Sequence, residues 1–309
     1  MGGRVFITGG SGFVGSAVID ELLKRGYRVN ALVNRRELKG RSGDEVRAIK
    51  GGLFDDRTLD EGMAGADAAI HLVGIIMEKR SKGLTFERVH FEGTKSVVDA
   101  ALRNGVRRYV QMSALGVRPD AVSDYHKTKY RAEQYVRGSG LDWTIIRPSL
   151  IHGPGGEFMK MEANWARGKA PPFLFMPYFG AGALGRGGAG KLQPVHVQDV
   201  ARAFVDSLAN VKTIGEVYPV GGAAQVTWPE LHRASAEAIV GRKRAVLSIP
   251  VWYGKLLTQI VPGLLLPFNR DQIIMSQEAN TCDLSKFRAD FGWEPRPFAA
   301  SLREYAAKL

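Results

Sequence analysis

The sequence predicts an α/β fold, a doubly wound parallel sheet (Rossmann type) with a smaller, mainly C-terminal lobe. Three observations carry that expectation. Strand-like and helix-like runs alternate through the first half. Three glycines fall between the first strand-like run and the first helix-like run. The alternation stops after Pro148. Regular alternation predicts parallel strands with helices on both faces, and right-handed crossovers wind such units in both directions from the centre.

In order, "RVFIT" reads as a first strand and "FVGSAVIDELLKRG" as a helix that Gly26 stops. "YRVNALV" and "EVRAIKG" read as the next two strands, "TLDEGMAGA" as a short helix and "DAAIHLVG" as a fourth strand. "FERVHFEGTKSVVDAALRNG" reads as one long helix, "RRYVQMSAL" as strand five, "KTKYRAEQYVRGSG" as a helix and "DWTIIRPS" as strand six. The stretch that follows is rich in glycine, proline and aromatics, and helix-like runs return at "VQDVARAFVDSLAN", "WPELHRASAEAIVG" and "VWYGKLLTQIV". The expected division is a dinucleotide-binding domain over 1–155, to which about 190–222 returns, and a substrate or interaction lobe over 156–309.

Composition narrows the classes. At 309 residues, 45% hydrophobic and 24% charged, the chain is globular and not disordered. Cys282 is the lone cysteine, so no intrachain disulfide forms, and a cytoplasmic location is expected. The first apolar run breaks at Thr8 and the glycines, unlike a signal peptide, and no run reaches the roughly eighteen apolar residues of a membrane span. The net charge of +12 favours anionic partners, but the cations are scattered and no aromatic–basic interleaving points to nucleic acid. The histidines His71, His152 and His196 have no metal-ligand spacing, and no metal is expected.

The glycines specify the first chemistry. Gly9 permits a tight turn, Gly12 lets a pyrophosphate approach the backbone, and Gly15 allows close helix–strand packing. The helix that follows offers unpaired amides and a partial positive charge. Such a triplet is weak alone; a strand before it, a helix after it and a second strand about twenty residues on make it a dinucleotide turn. The second strand ends in Asn34, Arg35 and Arg36, where NAD-binding folds often carry an acidic residue for the ribose hydroxyl. Two guanidiniums suit a 2′-phosphate, so NADP(H) is preferred, with NAD(H) as the alternative.

Tyr125 and Lys129 in "SDYHKTKYRAE" stand four apart and share a helix face. An ammonium beside a phenol lowers its pKa and makes it a proton donor. Ser113 ends strand five, at the strand C-termini where ligands bind in this architecture, placed to hydrogen-bond a carbonyl. Surface Tyr–Lys pairs at this spacing are common; the glycine turn and the strand-end serine make this one a candidate site.

With these residues in view, the chain resembles the extended short-chain dehydrogenase/reductase superfamily, also called the NAD-dependent epimerase/dehydratase family. "TGGSGFVG", "HLVG", "VHFEGT", "MSALG", "YHKTK", "RPSLIHGPG" and "QPVHVQDVA" occur in family order across nearly the whole chain. Within the family the chain is similar to the atypical branch related to the short-chain-dehydrogenase-like accessory subunit of respiratory complex I. The resemblance implies Ser113, Tyr125 and Lys129 as the catalytic set. It implies a cofactor lined by Gly9, Gly12, Phe13, Val14 and Gly15, by Leu72, Val73 and Gly74, and by Lys129. It further implies Leu53 and Asp55 near the adenine, and Pro148, Ser149 and Leu150 near the nicotinamide. Two departures stand out: His90 replaces an asparagine that joins a proton relay in many members, and Gly52 replaces an aspartate. His90 can serve the cofactor site or simply pack.

Two functional classes remain. One is an NADP(H)-dependent oxidoreductase, epimerase or dehydratase acting on a small-molecule carbonyl or carbinol. The other is a non-catalytic NADP(H)-binding accessory or assembly factor of a respiratory NADH:quinone oxidoreductase. Residues 249–270, "IPVWYGKLLTQIVPGLLLPFNR", place 253, 256, 257 and 260 on one helix side, which ordinarily means core, while Leu264, Leu265 and Leu266 are harder to bury. That segment is expected to pack in the core, to cap the substrate cleft, or to meet a protein partner or a membrane surface.

Overall fold

The computed structural model describes residues 2–34, 37–38, 43–185, 190–260, 268, 270–278 and 280–309. In chain order the elements are β1 (Arg4–Thr8), α1 (Phe13–Lys24), β2 (Arg28–Val33), β3 (Val46–Lys50), α2 (Asp56–Met63), β4 (Ala68–His71), α3 (Gly93–Arg103), β5 (Arg108–Met112), α4 (Asp124–Arg137) and β6 (Asp142–Pro148). There follow β7 (Ile151–His152), α5 (Glu157–Ala166), β8 (Phe175–Gly180), β9 (Lys191–Leu192), β10 (Val195–His196), α6 (Val197–Ala209), β11 (Glu216–Val220) and β12 (Val226–Thr227). The chain ends with α7 (Trp228–Val240), β13 (Ala245–Pro250), α8 (Val251–Ile260), α9 (Arg270–Gln277), α10 (Ser285–Phe291) and α11 (Phe298–Arg303).

The chain forms two compact units. The first comprises Met1–Pro148, Val197–Val220 and Leu284–Trp293. Its seven-stranded sheet runs β11-β6-β5-β4-β1-β2-β3, with every neighbour parallel. The order reverses direction beside β1, the switch point where doubly wound sheets bind ligands. Because both faces are covered, the central strands are continuous apolar runs: Val5, Phe6 and Ile7 of β1 are buried, as are Ala69 and Ile70 of β4. Phe6 packs with Leu59, Met63, Val97 and Tyr109 in the core. The break after Pro148 comes earlier than the expected one at 155, and Leu284–Trp293 join this unit unannounced by any motif. Their reason is aromatic: the Phe287 and Phe291 rings pack edge-on to buried Tyr218 of β11.

The second unit comprises Ser149–His196, Gly221–Asp283 and Glu294–Leu309. Parallel strands β8 and β13 pair from Phe175↔Ala245 to Gly180↔Pro250. Met159, Leu231, Phe298 and Leu302 belong to one buried cluster in it. Thr227 and Glu230 close a capping box that starts α7. The α8 helix corrects the expectation of a core face. Its buried position is Gly254, where a Cβ would stand 2.6 Å from the Phe179 ring. The missing side chain lets that ring close in, so Tyr253, Leu256 and Ile260 are turned outward. Leu264, Leu265 and Leu266 lie outside the described residues. No described helix is long and apolar enough to cross a membrane.

Candidate active site

The first turn after β1 is shaped by its glycines. Gly9 has φ +76°, a conformation that suits glycine because a Cβ clashes there. A Cβ on Gly15 would stand 2.1 Å from the Gly9 carbonyl oxygen, so α1 can start against the turn only with glycine at that position. At Gly12 an added Cβ would meet only the Gly9 oxygen, at 3.1 Å. No side chain caps the first turn of α1, and no acidic residue stands in it. The amides that open the helix at Phe13 and Val14 therefore suit an anion, and the residues fit the pyrophosphate of a dinucleotide.

Along the neighbouring strand ends, Asn34 follows β2 and is exposed. Arg35 and Arg36 lie outside the described residues. Leu53 packs against the main core cluster. Asp55 caps α2: its carboxylate accepts from the Thr58 amide and hydroxyl, which hold it below the usual carboxylate range. Leu72 is buried, Val73 half-buried and Gly74 exposed. Pro148 ends β6 and its carbonyl accepts from the Leu115 amide at 2.9 Å. Ser149 and Leu150 belong to the second unit, where the Ser149 hydroxyl donates to the Gln193 carbonyl and the Leu150 amide donates to Asn280.

The α4 helix brings the chemistry-bearing side chains together. Ser123 caps it by accepting from the His126 amide. Four residues separate Tyr125 from Lys129, and the Lys129 Nζ lies 5.4 Å from the centroid of the Tyr125 ring. Lys129 is only 7% exposed. Burial pulls its ammonium down to about 8, partly offset by Glu133 one turn on. A Cβ on Gly74 would lie 3.5 Å from the Lys129 Nζ and 3.6 Å from the His90 Nε2, which places all three at one spot. Glu133 is itself fully buried and takes Arg147 of β6 through two hydrogen bonds, fixing α4 to the sheet.

Tyr125 departs from the simple expectation that Lys129 lowers its pKa. Phe86, His90 and His126 crowd its ring at 5.2–5.8 Å between centroids. This desolvation pushes the phenol above its ordinary value, because the charged form loses its water.

His90 lies in a π-helical turn, Glu87–Glu92, which runs directly into α3 and which no local sequence signal separates from it. It is buried and stacks on Phe86 at 5.3 Å. Its Nδ1 is 3.0 Å from the Thr128 hydroxyl; its Nε2 is 3.1 Å from the Ile75 amide and 3.0 Å from the Ile75 carbonyl oxygen. Either neutral tautomer is satisfied, and burial holds the ring neutral, down to about 2. Thr128 is the partner that sequence reading missed; its one signal is a threonine between Tyr125 and Lys129 with no capping duty.

Of the seven buried side-chain polar atoms without a hydrogen-bond partner among the described residues, two stand at the C-terminal ends of neighbouring strands β4 and β5. Ser113 is 3% exposed, and its Oγ makes no hydrogen bond. His71, at the end of β4, holds Thr8 through Nδ1 at 2.6 Å, while its Nε2 is unpaired. Burial holds that ring neutral, to about 3, with Lys129 adding to the effect. An orphaned polar group in a protein interior is costly, and Ser113 stands at the strand end where a ligand oxygen would relieve it. Among the described residues no group of three or more His, Cys, Asp and Glu could hold a metal ion.

Comparison with known proteins agrees with this architecture. The family described as NAD(P)H-binding matches residues 9–164. A ceramide reductase of Caulobacter vibrioides is 30% identical over 258 residues, 80% of this chain and 74% of that protein. The 40 kDa subunit of the mitochondrial NADH-ubiquinone oxidoreductase of Neurospora crassa is 26% identical over 78% of this chain and 61% of its own length. Among solved structures, a UDP-glucose 4-epimerase of Thermotoga maritima superposes with a TM-score of 0.72 at 20% identity, covering 98% of this chain and 97% of that one. A glycine turn between β1 and α1, a seven-stranded parallel sheet and these relatives lead to one conclusion: the chain belongs to the NAD(P)H-binding family.

Proposed function

We propose that the protein is an NADP(H)-dependent reductase of a small-molecule carbonyl, with Ser113, Tyr125 and Lys129 as its working residues. The observation that carries this reading is the buried, unpartnered Ser113 hydroxyl at the end of β5, in the unit that also carries half-buried Tyr125 and buried Lys129. Bound NADPH supplies the hydride; the chain handles the oxygen and the proton. Ser113 donates a hydrogen bond to the substrate oxygen. Tyr125 passes its proton to that oxygen. Its raised pKa keeps the phenol protonated at neutral pH, which suits reduction better than oxidation. Lys129, charged below about pH 8, holds the ribose hydroxyls and receives the developing phenolate charge.

Phe13, Val14 and the three glycines take the pyrophosphate. Leu53 and Asp55 line the adenine side, while Leu72, Val73, Gly74 and His90 flank the ribose. Pro148, Ser149 and Leu150 border the nicotinamide. Asn34, Arg35 and Arg36 take the 2′-phosphate and set the preference for NADP(H) over NAD(H). The likeness to a ceramide reductase supports reduction over epimerisation. The test is loss of NADPH absorbance with a panel of aliphatic ketones and aldehydes, ceramide-like ones included. Turnover that Tyr125→Phe abolishes supports the reading. Turnover unchanged in Tyr125→Phe contradicts it.

A second reading has its own observation. His90 has both ring nitrogens engaged within the protein, where many relatives carry a relay asparagine. Together with the likeness to a respiratory-complex subunit, this favours a protein that binds NADP(H) tightly as an accessory factor. Tight NADPH binding with no turnover on any carbonyl, and retention on an NADH:quinone oxidoreductase, would select it.

A further inference from the structure

The second unit carries an exposed apolar surface whose charge setting is unusual. Residues 163–198 and 238–270 contain nine lysines and arginines and not one aspartate or glutamate. The whole chain has a net charge of +12, so these two stretches hold most of its excess. They are neighbours in space, because β8 comes from one and β13 from the other, paired in parallel.

The same two stretches hold over half of the exposed large hydrophobic residues among the described residues. On α8 these form a stripe. At 100° per residue, positions 252, 253, 256 and 260 fall within an arc of about 100°, while Gly254 points away toward the Phe179 ring. Trp252 is 56% exposed and Ile260 69%. The helix thus turns its small residue inward and its large apolar ones outward, the reverse of a helix that serves a core. The Trp252 indole N–H is held by the Ala183 carbonyl at 3.1 Å, which fixes the ring at the surface. Arg242 and Lys243 stand exposed just before β13.

We infer that this face docks on an anionic lipid surface, with the α8 stripe entering the interface and the flanking cations meeting lipid headgroups. The occupant follows from two chemistries on one face. In the stripe, Trp252 and Tyr253 alone offer bases a stacking face, Leu256 and Ile260 offer none, whereas an acyl boundary accepts all four. The absence of carboxylates from both stretches lets the cations add rather than cancel, as attraction to anionic headgroups requires. Indole and phenol rings favour the headgroup level. The inference is independent of the proposed reaction.

The experiment is flotation of the full-length protein with phosphatidylcholine vesicles, with and without phosphatidylserine, at low and high salt. Binding is expected only with phosphatidylserine present, falling several-fold as salt rises. Trp252→Ser with Leu256→Ser and Ile260→Ser should cut binding at least about tenfold while the melting temperature holds, since the exposed stripe supports no core. Arg242→Gln with Lys243→Gln should cut it several-fold and flatten the salt dependence. Absence of binding to both vesicle types overturns the inference. So does a stripe variant that binds like the parent. If the stripe variant instead abolishes self-association, or retention of an acidic protein, with no vesicle binding in the parent, the face is a protein interface and the inference fails. A stripe variant that melts early would be replaced by Ile260→Ser alone, expected to weaken vesicle binding about threefold; no loss there counts against the proposal.

Discussion

Helices α4 and α8 break the amphipathic rule in opposite ways. The α4 helix, in the first unit, buries a lysine and a glutamate: Lys129 beside Tyr125 and Glu133 against Arg147. The α8 helix, in the second unit, exposes a tryptophan, a tyrosine, a leucine and an isoleucine. Burying a charge costs stability unless a partner or a ligand repays it; exposing large apolar groups leaves favourable burial unused. Glu133 has its partner in Arg147. Lys129 has none among hydrogen bonds and ion pairs of the described residues, and the apolar side chains of the α8 stripe are exposed, unburied by any core. Both helices forgo stability, and the partner we propose differs in each case: a cofactor ribose for one, an anionic lipid interface for the other. Departures from the rule that a helix buries its apolar side locate function better than the rule itself.

The sharpest way to break the comparison is at Tyr125. Tyr125→Phe removes the transferable proton and leaves the ring packing against Phe86 and His90 intact. Turnover should fall by about a hundredfold or more. Stability should stay near the parent value, as thermal melting would show.

Glu133→Gln should destabilise the protein by about 3 kcal/mol, because it leaves Arg147 without its buried partner. Urea unfolding measures it. A change within about 0.5 kcal/mol would mean that α4 is held to the sheet by apolar packing alone.

The burial of Lys129 also sets a pH dependence. Its pKa falls from 10.5 to about 8 on folding, so the unfolded chain binds the extra proton between those values and stability must rise with pH across that window. Below about pH 8 the full cost is present; above 10.5 it is relieved. Lys129→Met should remove that rise, which is on the order of 3 kcal/mol. An identical slope in the variant would show that the ammonium is better solvated than its surroundings suggest.

A smaller effect tests the nucleotide preference. Arg35→Ala with Arg36→Ala should weaken NADPH about tenfold and leave NADH unchanged, as fluorescence titration of both cofactors would show. Equal loss of both would assign the arginines to general steering.

Much of the first unit was legible because its signals are local. Gly9 and Gly15 announce a turn through backbone geometry that no distant residue can alter. Tyr125 and Lys129 share a face because four residues span one helical turn. Other features depend on pairs far apart in sequence. Nothing near His90 reveals that Thr128 and Ile75 hold it, and nothing near Leu284 announces a return to Tyr218. In α8, periodicity grouped 253, 256, 257 and 260 on one side, of which 253, 256 and 260 are exposed and Leu257 is half-buried. It could not say whether that side faces in or out, because Phe179, which closes on Gly254, comes from β8, far back in the chain.

The most direct test of the account is a fluorescence titration of NADPH into the parent protein, Tyr125→Phe and Lys129→Met. The buried ammonium is read here as the ribose-binding group, and a charge-assisted hydrogen bond of this kind contributes about 1.5–3 kcal/mol. NADPH should therefore bind the parent and Tyr125→Phe alike and bind Lys129→Met at least about tenfold more weakly, with all three proteins folded. Equal affinity of Lys129→Met and the parent would contradict the account, leaving Lys129 a buried charge with no cofactor to meet.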